Sequence, residues 1–348
     1  MRRPLVTSAL AVAALTTSLL AWPVPSAAAR TQDEVRQIAA KLASDLALAC
    51  PHKPGASSEE AAYQACATNM AAITGIPFAQ AVLWGGDQAN LRVKDRKLTR
   101  FNIDTFRRIY APMMAFTGKF TVDRDERDKL DIIRVEAYFR NAMPAGNYPY
   151  PFWHSDTTWL SFEAMNVMNF YLNDKGQIII MSRSAVGNEA NRGGYAHVTP
   201  PVFVKDQWMW ADAAGKLQPS VTLFSARYRA GNPSLARLDE TYRAFADTMR
   251  EATCMGCHNP KNPPGMARLV LFQTPVHAAG EIEHVIKSIQ GNTMPVNELG
   301  LTEDMDPKLR ESMLAAAVAF RDEVVAANKW EAAQRAAAVP PGPSPTPR

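Results

Sequence analysis

Residues 238–258 read LDETYRAFADTMREATCMGCH. Tyr242, Phe245, Ala246 and Met249 recur at three- and four-residue spacing, which lays one apolar stripe along a helix over Leu238–Thr253. Directly after it, Cys254-Met255-Gly256-Cys257-His258 sets two thiols three residues apart with an imidazole beside the second. C-x-x-C-H is the spacing of covalent haem attachment. Two thiols on one turn of chain reach the two vinyl groups of a single porphyrin, while the adjacent imidazole turns under its plane to ligate iron. Zinc requires a second ligand pair and a thioredoxin-like site requires a βαβ setting, and neither accompanies this motif. The pattern predicts one covalent haem c, attached through Cys254 and Cys257, with His258 as an iron ligand.

Downstream, a proline-rich loop leads to a helix over Ala278–Gln290, a Met294-Pro295 pair, and a closing helix over Pro307–Ala327. Leu309, Met313, Ala317, Phe320 and Val324 form a second apolar stripe, complementary to the first. A sixth iron ligand has five candidates: Met294, Met266, Met305, His277 and His284. At about 100° per residue, Ile282, Val285, Ile286 and Ile289 share one face, and His277 and His284 fall nearly opposite, toward solvent. Met294 follows the helix in the Gly291-Asn292-Thr293 loop, and the following proline biases it toward an extended backbone that can aim its side chain at the iron. Met294 is the preferred ligand and Met266, close after the motif, its rival. A carbonyl of Asn262-Pro263-Pro264 is placed to orient the His258 ring, and Arg268 to meet a propionate.

On these residues the segment from Leu238 to about Ala327, about a quarter of the chain, resembles a class I cytochrome c domain. The resemblance implies that the first and last helices cross and bury their stripes together. It also puts the distal methionine at Met294, and implies a filled His/Met iron sphere suited to single-electron transfer between redox partner proteins. The cytochrome c maturation machinery is then a further partner.

Upstream the chain is organised differently. Residues 1–29 have the form of a secretory signal: Arg2 and Arg3, an apolar run from Leu5 to Trp22, and Ala27-Ala28-Ala29 for a peptidase. Cleavage after Ala29 predicts a periplasmic protein with no membrane span left, since no later stretch is apolar for the roughly 20 residues that spanning needs. Asp33–Ala49 and Ser57–Ile73 are rich in helix formers and joined by Pro51-His52-Lys53-Pro54-Gly55, which predicts a helical hairpin. Cys50 and Cys66 straddle its turn. A disulfide, buried free thiols and a metal site all accommodate them, and an oxidising compartment favours the disulfide.

From about Arg100 to Arg229, strand-like runs alternate with helical ones. Ile132–Phe139, Val167–Leu172, Gln177–Met181, Val202–Val204 and Val221–Phe224 are bounded by turn signals such as Asn173-Asp174-Lys175-Gly176. Phe101–Phe116 and Asp156–Met165 read as helices. These elements predict a twisted antiparallel sheet covered on one side. Aromatics concentrate in Asn147–His154 and at Trp208 and Trp210, where packing is the expected role and a ligand pocket the alternative. The predicted class is α+β, with a signal at 1–29, a helical region at 30–99, an α+β domain at 100–234, a cytochrome c-like haem domain at 235–331 and a disordered Ala/Pro-rich tail at 332–348.

The formal net charge of +4 falls to +2 once Arg2 and Arg3 leave with the signal, and two haem propionates would bring the assembly near neutrality. Nothing in that balance points to nucleic acid. Hydrolase, kinase and dinucleotide fingerprints are absent from the sequence. The expected function is that of an electron carrier rather than a catalyst. The alternative is a haem enzyme or sensor in which the middle region supplies distal groups such as His154 or Tyr150 over a vacant or displaceable iron position.

Overall fold

A computed structural model describes residues 30–54, 59–73, 75–86, 91–96, 98–140, 156–187, 224, 227–252, 254, 257–258, 275–297 and 300–337. The signal segment, Asn147–His154, Val202–Val204, Trp208, Trp210, Asn262–Pro264, Met266 and Arg268 lie outside the described residues. The fold is α+β, with an N-terminal helical hairpin, a six-stranded sheet and three C-terminal helices following in chain order and sharing one core.

Helix α1 (Gln32–Ala49) starts on a capping box in which Thr31 and Glu34 satisfy each other's backbone amides. Its buried residues Val35, Ala39, Leu42, Ala43, Leu46 and Ala49 follow helical periodicity, so one face is committed to the core. At its end, Cys50 O accepts from Phe116 N–H and His52 N–H donates to Phe116 O, which ties the turn to the sheet. Helix α2 (Glu59–Ala72) returns from that turn. A disulfide joins Cys50 to Cys66, with Cα atoms 4.7 Å apart.

The strands are β1 (Phe78–Gly86), β2 (Thr99–Asn102), β3 (Met114–Asp125), β4 (Leu130–Phe139), β5 (Val167–Leu172) and β6 (Ile178–Ser184). Their order is β2-β1-β6-β5-β4-β3. β3 to β6 form an antiparallel meander. Its last turn is set by Asn173 Oδ1, which accepts from the Lys175 and Gln177 amides, and by Gly176 at φ +76°. That is a left-handed conformation open to glycine without strain. The sheet is not wholly antiparallel as expected, because β1 runs parallel to β6.

Alternation along the strands separates two faces. Ile133, Val135, Ala137 and Phe139 of β4, with Met168, Phe170 and Leu172 of β5, join the main core. On the opposite face Ile132, Tyr171 and Ile180 form a small cluster, beside a buried polar ladder in which Asn169 Nδ2 donates to Ser182 and Ser184.

Three expectations need correction. Phe101–Phe116 is helical only from 103 to 113, as α3 (Ile103–Thr105) followed by a π turn and a 3-10 turn. Phe101 belongs to β2 and Phe116 to β3, positions where aromatic residues suit a pleated, half-buried surface. The helical region expected through residue 99 ends at Ala72, since Phe78–Gly86 is a strand paired with β6. Residues 332–337 are helical rather than part of a disordered tail. Their alanines have the highest helix propensity and extend a helix already anchored by packing.

That helix is α7 (Pro307–Ala337), which joins α4 (Asp156–Glu163), α5 (Leu235–Glu251) and α6 (Pro275–Gln290). α5 and α7 pack through the Phe320 ring, whose centroid lies 5.9 Å from Phe245 and 5.5 Å from Tyr242. Leu238, Phe245 and Met249 of α5 and Met313, Ala317 and Val324 of α7 belong to the same continuous core as the sheet's inner face. Among the described residues, no helix is long and apolar enough to cross a membrane.

Candidate functional site

The Cys-x-x-Cys-His stretch sits where α5 runs out. The Ala252 amide still closes on Thr248 O, at 2.9 Å. One step further, Cys254 O accepts from both the Cys257 amide at 3.2 Å and the His258 amide at 3.0 Å. Both thiols and the imidazole therefore share one tight turn, carried on the end of a helix buried along one face. Cys254, Cys257 and His258 are all half-buried, and the Cys254 side chain packs against the main core.

Both cysteines are free thiols. Burial, and secondarily the neighbouring Cys257, pushes the Cys254 thiol up to about 11. A redox-active dithiol has its nucleophilic sulfur lowered toward neutrality instead, so Cys254 is poorly suited to disulfide exchange. Among the described residues, no three His, Cys, Asp or Glu side chains converge on a point where an ion would sit. A tetrahedral zinc site needs such convergence. A flat macrocycle does not, since its thioether positions lie at the ring edge and its metal at the centre. Free thiols and an imidazole fanned along one turn fit a covalently attached haem on that ground.

The other named residues fall on separate elements. Helix α6 ends on Asn292 at φ +50°, with Thr293 N–H bonded to Ser288 O, a left-handed C-terminal stop. Met294 follows, half-buried, and its peptide to Pro295 is cis. The loop is braced by a Val296–Thr302 bridge and by Glu303 N–H donating to Pro295 O at 2.9 Å. Met294 is thus held on a fixed loop without being consumed by the core. Met305, in contrast, packs against the core.

His284 faces solvent as expected, its Nδ1 2.7 Å from Glu281 Oε2. His277 does not. It is 2% exposed and lies against Tyr110, with ring centroids 5.4 Å apart. Burial drives its pKa down to about 3, so the ring is neutral. The correction has a simple cause. The periodicity argument allowed α6 one buried face, but α6 is covered on two, by α7 and by the β2–α3 segment, where Asn102 Nδ2 donates to Gly280 O.

Sequence reasoning also missed Glu281. Only 2% exposed, it accepts from Arg100 of β2 across the contact between α6 and the sheet. Glu281 is one of two acids in the run from Pro275 to Ile289, and its place beside the apolar stripe of Ile282 and Val285 was the available signal. Comparison with known protein families, with curated proteins and with solved structures finds no match to this chain.

Proposed function

We propose that this chain is a periplasmic monohaem c-type cytochrome that passes single electrons between redox partner proteins. The observation that carries the reading is the position of Cys254, Cys257 and His258 on one turn at the end of α5, the helix that packs against α7. In this reading Cys254 and Cys257 hold the macrocycle covalently, and burial keeps the Cys254 sulfur a thiol until attachment. His258 supplies the proximal imidazole and Met294 the thioether. Bound haem contributes a one-electron couple whose potential a His/Met ligand pair raises. The residues of α5, α6 and α7 exclude water and hold both ligands on braced backbone, so little rearrangement accompanies a change of redox state.

The experiment is an optical spectrum of the exported protein, with and without carbon monoxide, for wild type and Met294→Ala. Wild type is expected to show a sulfur-to-iron charge-transfer band and to exclude carbon monoxide. Met294→Ala is expected to lose the band, lower the potential and admit carbon monoxide, because the polarizable thioether favouring ferrous iron is gone. Ready carbon monoxide binding by wild type would replace the carrier with an enzyme or sensor.

A further inference from the structure

The loop that carries Met294 has two stems, the last turn of α6 and the first turn of α7. Its middle holds its own shape. Asn297 N–H donates to Leu301 O and Leu301 N–H to Asn297 Oδ1, while Gly300 N–H donates to Asn297 O and Glu303 N–H to Pro295 O. Each of these bonds runs between residues of the loop itself, so together they fix its form and leave its placement to the stems. The α6 stem ends at Gln290, where Asn292 at φ +50° stops the helix. The α7 stem begins at Asp306, whose Oδ1 accepts from the Lys308 and Leu309 amides as an N-cap.

Arg310 joins the two stems. From the first turn of α7 its Nη1 donates to Ile289 O at 2.9 Å, across a separation of 21 residues. That carbonyl belongs to the last turn of α6, where a helix leaves carbonyls without intrahelical partners and the negative end of its dipole favours a cation. A second donor to it, the Asn292 amide, stands at 3.4 Å. Among the described residues Arg310 forms no ion pair, so its charge is directed at this one contact. Both ends of the clip are anchored, since Ile289 is buried in the main core and Leu309, beside Arg310, packs against it.

We propose that Arg310 is a positioning residue for the sixth iron ligand: by clipping α7 to the end of α6 it closes the Met294 loop at its base and holds the thioether in place. The inference rests on the His258/Met294 reading above. Bringing the ends of a long loop together costs chain entropy, and the clip settles that cost once, on folding. Without it the middle of the loop keeps its own bonds but swings at its stems, and the thioether competes less well with an outside ligand.

The test is imidazole titration of the exported ferric holoprotein. Imidazole reaches the iron only while Met294 is off it, so its apparent affinity scales with that population. Arg310→Leu is expected to raise imidazole affinity at least about tenfold over wild type, with a weaker sulfur-to-iron band and a lower potential. Arg310→Lys, which keeps the charge without the planar fork, is expected to raise it about threefold. In the Met294→Ala background Arg310→Leu is expected to add nothing, because it acts through the thioether. Wild-type affinity in Arg310→Leu overturns the proposal, as does wild-type affinity in Arg310→Lys should the leucine variant not fold. An equal rise with and without Met294 also overturns it, by making Arg310 a general brace. A wild type that lacks the band and binds carbon monoxide removes the His258/Met294 premise instead, and wild type alone reveals that failure.

Discussion

The two cysteine pairs of this chain share a chemistry and differ in every physical circumstance. Cys50 and Cys66 are 0% and 1% exposed, lie 16 residues apart and are bonded to each other. They cross-link two helices whose connection the sheet already grips through Phe116. Cys254 and Cys257 are half-buried and three residues apart, and remain thiols on a turn with no cross-link of its own. Separation decides the roles. A bond across a longer loop removes chain entropy from the unfolded state, whereas two thiols on one turn constrain almost nothing and stay available to a third party. The N-terminal hairpin is therefore stabilised covalently, and the C-terminal helices depend on packing.

The sharpest way to break that contrast is to remove the free pair. Cys254→Ser combined with Cys257→Ser is expected to abolish covalent haem outright, read by haem staining after denaturing electrophoresis and by intact mass. Serine at Cys50 and Cys66 is expected to leave attachment intact. Haem that extracts freely from exported wild type would sink the assignment of the turn.

The next effect in size concerns packing. Phe320 is 0% exposed and touches Tyr242, Phe245 and Phe224, so Phe320→Ala leaves a cavity at the junction of α5 and α7. A loss of about 3–5 kcal/mol is expected, measured by urea unfolding. Cys50→Ala with Cys66→Ala follows, at about 3 kcal/mol for a loop of this size in the chain-entropy model. If the disulfide variant proves the more damaged, the C-terminal helices are not the packing-dependent half.

What was legible in the sequence follows from how local each signal is. α1 and α5 were readable because a helix buried on one face writes its burial as a 3.6-residue stripe, and β5 because turn residues bound it on both sides. β1 was not readable. Phe78–Gly86 pairs in parallel with a strand almost a hundred residues on, and no local pattern announces such a partner. β3 alternates only from Gly118 onward, its first three residues being buried alike. At the candidate site, the motif of Cys254, Cys257 and His258 was complete in sequence. His277 and Glu281 take their character from distant neighbours, Tyr110 and Arg100, which periodicity along one helix does not contain.

The smallest effect separates the two halves by pH. His277 titrates at about 3 in the folded protein against an ordinary 6.5, because burial penalises the imidazolium. Between those values the unfolded chain binds the proton and the folded one does not, so protons favour unfolding. The stabilising contribution is complete above pH 6.5 and is lost progressively as pH falls toward 3. At pH 5 the loss amounts to about 2 kcal/mol relative to pH 7. His277→Leu, which keeps an apolar side chain against Tyr110, is expected to flatten that part of the urea-midpoint profile. Because His277 lies on α6 and the disulfide on the N-terminal hairpin, the acid loss should be the same size in the Cys50→Ala/Cys66→Ala background, as expected for sites without shared partners. Measured stabilities at pH 7 and pH 5 for the four combinations decide it. An acid loss that persists in full in His277→Leu removes the histidine as its cause. One that changes with the disulfide shows that the two halves are coupled rather than independently held.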